Sequence, residues 1–158
     1  MKGIKIRTAQ IEDAQAIIFL IVKLTYKYIL PHCDQSAHAL LLNSMSPEKV
    51  KSYIQKDYYI VAMSEYNIIV AVACIHDYKH LYHLFVDELY QGQGLSRYLW
   101  ETIKDASLKQ RHQGLFTVNA SLNAEPIYLK FGFKRNGGVQ NIKGVVSIPM
   151  FFQILNSR

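Results

Sequence analysis

The sequence predicts one mixed α/β domain, α+β in character, around a single mostly antiparallel sheet flanked by about four helices. Two observations carry this expectation. Three β-like runs follow one another between residues 58 and 86, close enough in sequence to pair as antiparallel neighbours. A strand–helix–strand unit then spans about residues 80 to 119, with no repeat, low-complexity tract or linker anywhere in the chain. The 158 residues fit one domain, residues 1–158, and 50% hydrophobic against 19% charged content suffices for a core.

Taken in order, Lys2 to Thr8 alternates apolar and polar residues, as a strand does, with Ile4 and Ile6 on one face. Ile11 to Leu30 has helical length. Glu12 and Asp13 sit in its first turn, where the helix dipole favours acids, and Pro31 ends it. Ser36 to Leu42 is a short helix candidate. Ser46-Pro47-Glu48 starts another helix, with Ser as cap and Pro at the first helical position, running to about Lys56. The three β runs are Tyr58 to Met63, Ile68 to His76 and His80 to Val86, joined by turns at Glu65-Tyr66-Asn67 and Asp77-Tyr78-Lys79. A glycine-bearing turn, Gln91 to Gly94, leads into a helix from Leu95 to about Gln110, which Gly114 closes. Leu115 to Asn119 is a strand, and Asn123 to Phe131 is a short helix capped by Asn123 and stopped at Gly132. Phe133 to Val139 and Gly144 to Ile154 are two final strands.

Composition narrows the function classes. The longest apolar stretch, Ile17 to Val22, is a fraction of a membrane span, and the amphipathic start Met1 to Arg7 is unlike a signal peptide. A cytoplasmic protein with no membrane partner is expected, and Cys33 and Cys74 are then reduced thiols. His32 and Cys33 lack partners at ligand spacing, so no metal is expected. The formal charge of +6 comes from scattered lysines, which disfavours a nucleic-acid stripe. The apolar final strand, Val145 to Phe152, would offer a pairing edge to a second copy, which raises a homodimer.

The informative segment runs from His83 to Ser96. A strand enters a turn, Gln91-Gly92-Gln93-Gly94, and a helix follows at Leu95-Ser96. Glycines let backbone approach a ligand, and the amides of such a turn converge where the helix dipole favours an anion. The pattern is neither G-x-G-x-x-G nor a Walker loop. It resembles the GNAT superfamily signature (Gln or Arg)-x-x-Gly-x-(Gly or Ala), with Ser96 in the last place, and Leu84-Phe85-Val86-Asp87 resembles the strand that precedes it. About thirty residues on, Asn119 to Phe133 resembles the second signature, Asn-x-x-Ala-x-x-x-Tyr-x-x-x-Gly-Phe. Ala124, Tyr128, Gly132 and Phe133 fall at its spacing. Its Asn falls on Ser121, with Asn119 and Asn123 as neighbouring alternatives for contact with the pantetheine arm.

This resemblance covers nearly the whole chain. It implies a GNAT-type sheet that splays at the fourth strand and an N-acetyltransferase that moves an acetyl group from acetyl-CoA to a primary amine. Coenzyme A would lie on Leu84, Phe85, Val86, Gln91, Gly92, Gln93, Gly94, Leu95 and Ser96, with Asn119, Asn123 and Tyr128 beside the arm. Tyr128 takes the general-acid place and the Leu84 N–H that of oxyanion donor. For the base, His80 stands four residues before Leu84, on the same face by period two, and imidazole titrates near neutrality. His83 points to the other face unless a bulge intervenes, and His76 also lies within reach. Tyr26 and Tyr28 are candidates for the acceptor wall, and Glu48, Asp57, Asp77, Glu88 and Glu125 for attracting a cationic amine. The acceptor is a small molecule or a peptide. A closed pocket beside the thioester would favour the first and an open groove the second. The alternative readings are a non-catalytic acyl-CoA sensor with the same fold and, further off, a nucleic-acid-binding module.

Overall fold

A computed structural model describes residues 3–110 and 114–155 of the chain. The proposed first residue of the first strand, Lys2, lies outside them. The strands are β1 (Lys5–Thr8), β2 (Tyr58–Met63), β3 (Ile69–His76), β4 (His80–Val86), β5 (Leu115–Ala120), β6 (Lys134–Arg135), β7 (Gln140–Ile142) and β8 (Val145–Gln153). The helices are α1 (Ala14–Tyr28), α2 (His38–Asn43), α3 (Pro47–Lys56), α4 (Leu95–Gln110) and α5 (Glu125–Phe131), with short 3-10 turns between some of them. The strands form one sheet in the order β1-β2-β3-β4-β5-β8-β6, with β7 also on β8. Every pairing is antiparallel except β4 with β5.

Local chemistry explains most boundaries. Ser46 Oγ accepts the Lys49 N–H at 3.3 Å and Pro47 opens α3, as its sequence requires. The β3–β4 turn places Asp77 and Tyr78 at φ 55° and 53°, the two successive left-handed residues of a tight hairpin. Gly132 closes α5 at φ 100°, and the Phe133 N–H returns to the Tyr128 carbonyl at 3.0 Å.

Two apolar layers cover the sheet. On one face α4 and α5 pack Leu99, Trp100, Ile103 and Phe131 against Phe116, Phe133 and Met150. The Trp100 ring lies 5.2 Å from Phe116 and 5.0 Å from Phe133, centroid to centroid. Truncating so large a buried ring costs about 3–5 kcal/mol. On the other face α1 and α3 pack Ile17, Ile21, Leu24 and Val50 onto Tyr59, Val61 and Val72. The segment Ile11–His32 is long and apolar enough to cross a bilayer by length and composition, a window wider than the Ile17–Val22 run suggests. Within this fold, however, its Ile17, Leu20, Ile21 and Leu24 are core residues.

Several expectations require correction. The strand expected over Phe133 to Val139 reduces to β6, because Gly137 at φ 127° breaks the extended path and the Asn136 N–H turns to the Pro149 carbonyl. Strand β7 forms the outer arm of the terminal hairpin instead. Strand β8 is covered over most of its length: β5 pairs residues 148–153 on one side and β6 pairs Met150 and Phe151 on the other, while residues 145–147 pair with β7, so most of the strand is not the free edge on which the homodimer argument rested. The α5 cap is Ala124, not Asn123, because the Asn123 carboxamide oxygen accepts the Ser121 hydroxyl at 2.7 Å and is not available to α5.

Candidate active site

Strands β4 and β5 are paired only at His80–Thr117 and Leu81–Val118. Beyond Leu81 they part, leaving the rest of β4 without a neighbour on that side, an edge of about 16 Å at ~3.3 Å per residue. The Asp87 N–H donates to the Val70 carbonyl at 2.8 Å, so the backbone polar groups of Asp87 face β3. Because these groups alternate along a strand, those of Phe85 also face β3, and those of Leu84 and Val86 face the opening. The Val86 carbonyl is met there by the Gln91 side-chain amide at 2.9 Å. The parting of the strands therefore exposes unpaired backbone N–H groups, which a bound ligand can satisfy.

A cavity of about 810 Å³ fills this opening. Its lining brings together His80, Leu84, Phe85, Val86, Gln91 and Gly92, and with them Gly94, Leu95, Ser96, Asn119, Asn123 and Tyr128. Of the residues singled out in the sequence, Gln93 is outside the lining; its side chain donates to the Leu89 carbonyl at 3.3 Å. Gly92 and Gly94 have φ of 75° and 82°, values that favour glycine, and a Cβ built at either meets no atom within 4 Å. The turn therefore stands open in front of the α4 N-terminus, with room for a diphosphate against its amides. Arg97 and Lys130, which sequence reasoning passed over, add cations to the same end. Arg97 donates to the Lys130 carbonyl at 3.0 Å and lies over the Phe131 ring. Its place three residues after Gly94, one turn into α4, was the available signal.

Tyr128 enters from α5. Its ring is wedged at right angles to Phe131 and near-perpendicular to Phe133, and only 6% of the residue is exposed. The hydroxyl has no hydrogen-bond partner among the described residues, yet it is not sealed from the cavity. Burial pushes its pKa well up, so the phenol stays protonated.

The histidines differ from expectation. The β3–β4 register slips between Cys74–His83 and Ile75–Leu81, so Tyr82 is a bulge residue. Leu81 and Leu84 consequently pack in the same layer, and His80 is turned to the face opposite Leu84, the face of His83 and Phe85. The period-two argument placed His80 on the wrong face because it assumed a regular strand. His80 Nδ1 is 2.8 Å from the Thr117 hydroxyl, and burial, then His76, lowers its pKa. His83 is 4% exposed; its Nδ1 is 2.9 Å from the Tyr59 hydroxyl, and burial lowers its pKa to about 3. His76 lies outside the cavity, paired with Asp57 at 2.8 Å.

The far end of the cavity is walled by Leu24, Tyr28, Leu41, Met45 and the terminal hairpin. Tyr28 is thus in the wall, whereas Tyr26 is exposed and outside it. None of Glu48, Asp57, Asp77, Glu88 or Glu125 lines the cavity.

An opened parallel strand pair, a glycine turn at a helix N-terminus and a buried tyrosine thus meet in one cavity. Residues 29–154 match the family described as Acetyltransferase (GNAT) domain, and the chain belongs to that family. Solved structures agree on the fold. A GCN5-related N-acetyltransferase from Rhodopseudomonas palustris is 21% identical, with a TM-score of 0.78 and 98% of each chain covered. The PaiA N-acetyltransferase from Thermoplasma acidophilum, solved in complex with coenzyme A, is 18% identical, with a TM-score of 0.74 over 96% of this chain and 99% of that one. The ribosomal-protein-S5-alanine acetyltransferase from Vibrio fischeri is 16% identical, with a TM-score of 0.69 over 99% and 94%. No curated protein sequence matches the chain.

Proposed function

We propose that this protein transfers the acetyl group of acetyl-CoA to a primary amine by direct attack within a ternary complex. The observation that carries this reading is that one cavity holds the unpaired β4 edge, the open glycine turn and the Tyr128 hydroxyl together. The amides of residues 92–96, with Arg97 and Lys130, would hold the diphosphate. The backbone of Leu84 and Val86 would hold the pantetheine arm as an added strand partner, with Asn119 and Asn123 beside it.

In the chemical step the amine nitrogen forms a bond to the thioester carbonyl carbon. The Leu84 N–H donates to the oxyanion, and as the C–S bond breaks Tyr128 gives its proton to the sulfur. The bulge places His80 on the face of His83 and Phe85, the side from which an amine would approach. There His80, uncharged because burial lowers its pKa, takes the amine proton through water. The products are an amide and the coenzyme thiol, and solvent returns the proton to Tyr128. Free Cys33 and Cys74 suit the reducing cytoplasm in which we place the enzyme.

The test is release of free thiol from acetyl-CoA in the presence of primary amines. Tyr128→Phe should lower kcat about 100-fold, the lower range for a positioned acid, while leaving acetyl-CoA affinity unchanged. A Tyr128→Phe enzyme as fast as wild type would remove the acid from the scheme.

A further inference from the structure

We infer that the acceptor is a small monoamine carrying an apolar, arylalkyl-like body, and neither a polyamine nor a lysine of a protein. This rests on the acetyl transfer proposed above and adds to it the class of substrate. Three independent features of the acceptor end converge on it.

The first is charge. No Asp or Glu lines the cavity among the described residues. Carboxylates near this end are already matched: Asp87 by Lys23 at 2.6 Å, Glu88 by Lys27 and the Tyr28 hydroxyl, and Asp34 by the Asn141 amide at 3.3 Å. The one charged side chain from the terminal hairpin in the wall, Lys143, is itself a cation. A polyamine would carry further ammonium groups into a wall with no counter-charge, at the cost of desolvating each of them.

The second is surface chemistry. Leu24, Leu41, Met45, Phe85 and Val145 line this end, Leu24 and Met45 as buried residues. The rings of Tyr82 and His83, 4.7 Å apart, line it as well, with Phe85 5.6 Å from His83. Such a surface gains from an aromatic or aliphatic body and offers little to a polar peptide backbone.

The third is closure. The terminal hairpin is clasped to the turn before α2, across 107 positions of sequence, by Asn141 Nδ2 donating to Asp34 Oδ2 at 3.3 Å. The Asp34 N–H donates to the Gly144 carbonyl at 2.9 Å. The contact is tight enough that a Cβ at Gly144 would lie 3.0 Å from Ala37 Cβ and 3.1 Å from Asp34 Cβ. Both clasped segments lead into wall residues, Leu40 and Leu41 on one side and Ile142, Lys143 and Val145 on the other. The clasp thus ties together two of the segments that wall the acceptor end, which narrows the path for an extended peptide.

The experiment compares kcat/KM by thiol release, at saturating acetyl-CoA, for 2-phenylethylamine, tryptamine, spermidine and a lysine-bearing tetrapeptide, with acetyl-CoA binding measured in parallel by calorimetry. The aryl amines should exceed spermidine and the peptide by at least about 100-fold, the scale set by roughly 1.4 kcal/mol per tenfold. A preference for spermidine or the peptide, or equal rates for all, overturns the inference while transfer itself stands. Tight acetyl-CoA binding with no amine consumed also overturns it and leaves the cofactor site intact. Failure of folded protein to bind acetyl-CoA removes the underlying reading and the inference with it. In a second arm, Leu41→Glu should raise the spermidine-to-phenylethylamine ratio at least about tenfold, since it supplies the missing counter-charge. An unchanged ratio would exclude that wall from the acceptor site and overturn the inference.

Discussion

The two ends of the cavity are built from different materials. The end proposed to hold the coenzyme is made of backbone: the β4 edge left unpaired beyond Leu81, two glycines at positive φ and the first turn of α4. The end proposed for the acceptor is made of side chains that meet only through tertiary packing, from α1, α2 and a hairpin near the opposite end of the chain. Backbone recognition tolerates almost any side chain beside it, so that end can stay constant while the other is recast by substitution. The difference predicts that the two ends can be damaged separately.

The largest separable effect should fall between them, on proton removal. His80→Gln should lower kcat/KM about 100-fold, a typical loss for a general base, without changing acetyl-CoA affinity. Expressed per free amine, wild-type activity should decline as pH falls through the His80 pKa, which burial places below 6.5, and the variant should lack this decline. A variant that keeps both the rate and the pH limb would assign the base elsewhere on that face.

A smaller effect should sharpen the contrast. Gly144→Val forces a branched side chain into φ 88° against Ala37 and Asp34. The strain, about 1–3 kcal/mol, should loosen the clasp and raise the KM for the amine roughly tenfold. Acetyl-CoA affinity should not move. If it weakens in parallel, the ends are mechanically coupled and the division fails.

A separate effect concerns stability near the boundary. His83 is buried uncharged, with a folded pKa of about 3 against 6.5 when exposed. The unfolded chain binds the proton that the folded chain refuses, so the stabilisation is complete above pH 6.5 and is lost as pH falls from there toward 3. A melting series from pH 7 to pH 4 should show this slope in wild type and a shallower one in His83→Leu.

This division also explains what was legible in the sequence. Gln91 to Ser96 and Tyr128 to Phe133 are local: turn, cap and helix chemistry sit within a few residues, so motif spacing locates them. The acceptor wall has no local signature. Leu24 and Leu41 look like any core leucine until α1 and α2 are docked, and the clasp joins Asp34 to Asn141. The errors in β4 and the terminal hairpin arose at local breaks in strand regularity. The bulge at Tyr82 shifts the side-chain alternation by one, which no pattern of apolar residues in β4 reveals, and it moved His80 to the opposite face. Gly137 likewise redirected the chain between β6 and β7, and with it the neighbours of β8.

The central claim is that the glycine turn and the β4 edge hold the coenzyme. Calorimetric titration of acetyl-CoA into wild type and Gly94→Glu, with folding checked by circular dichroism, tests it most directly. The account predicts saturable binding, about micromolar, by wild type and a loss of at least about 100-fold in the variant, whose carboxylate would stand in the phosphate space. Equal affinity in the two folded proteins, or no binding by wild type, would contradict it.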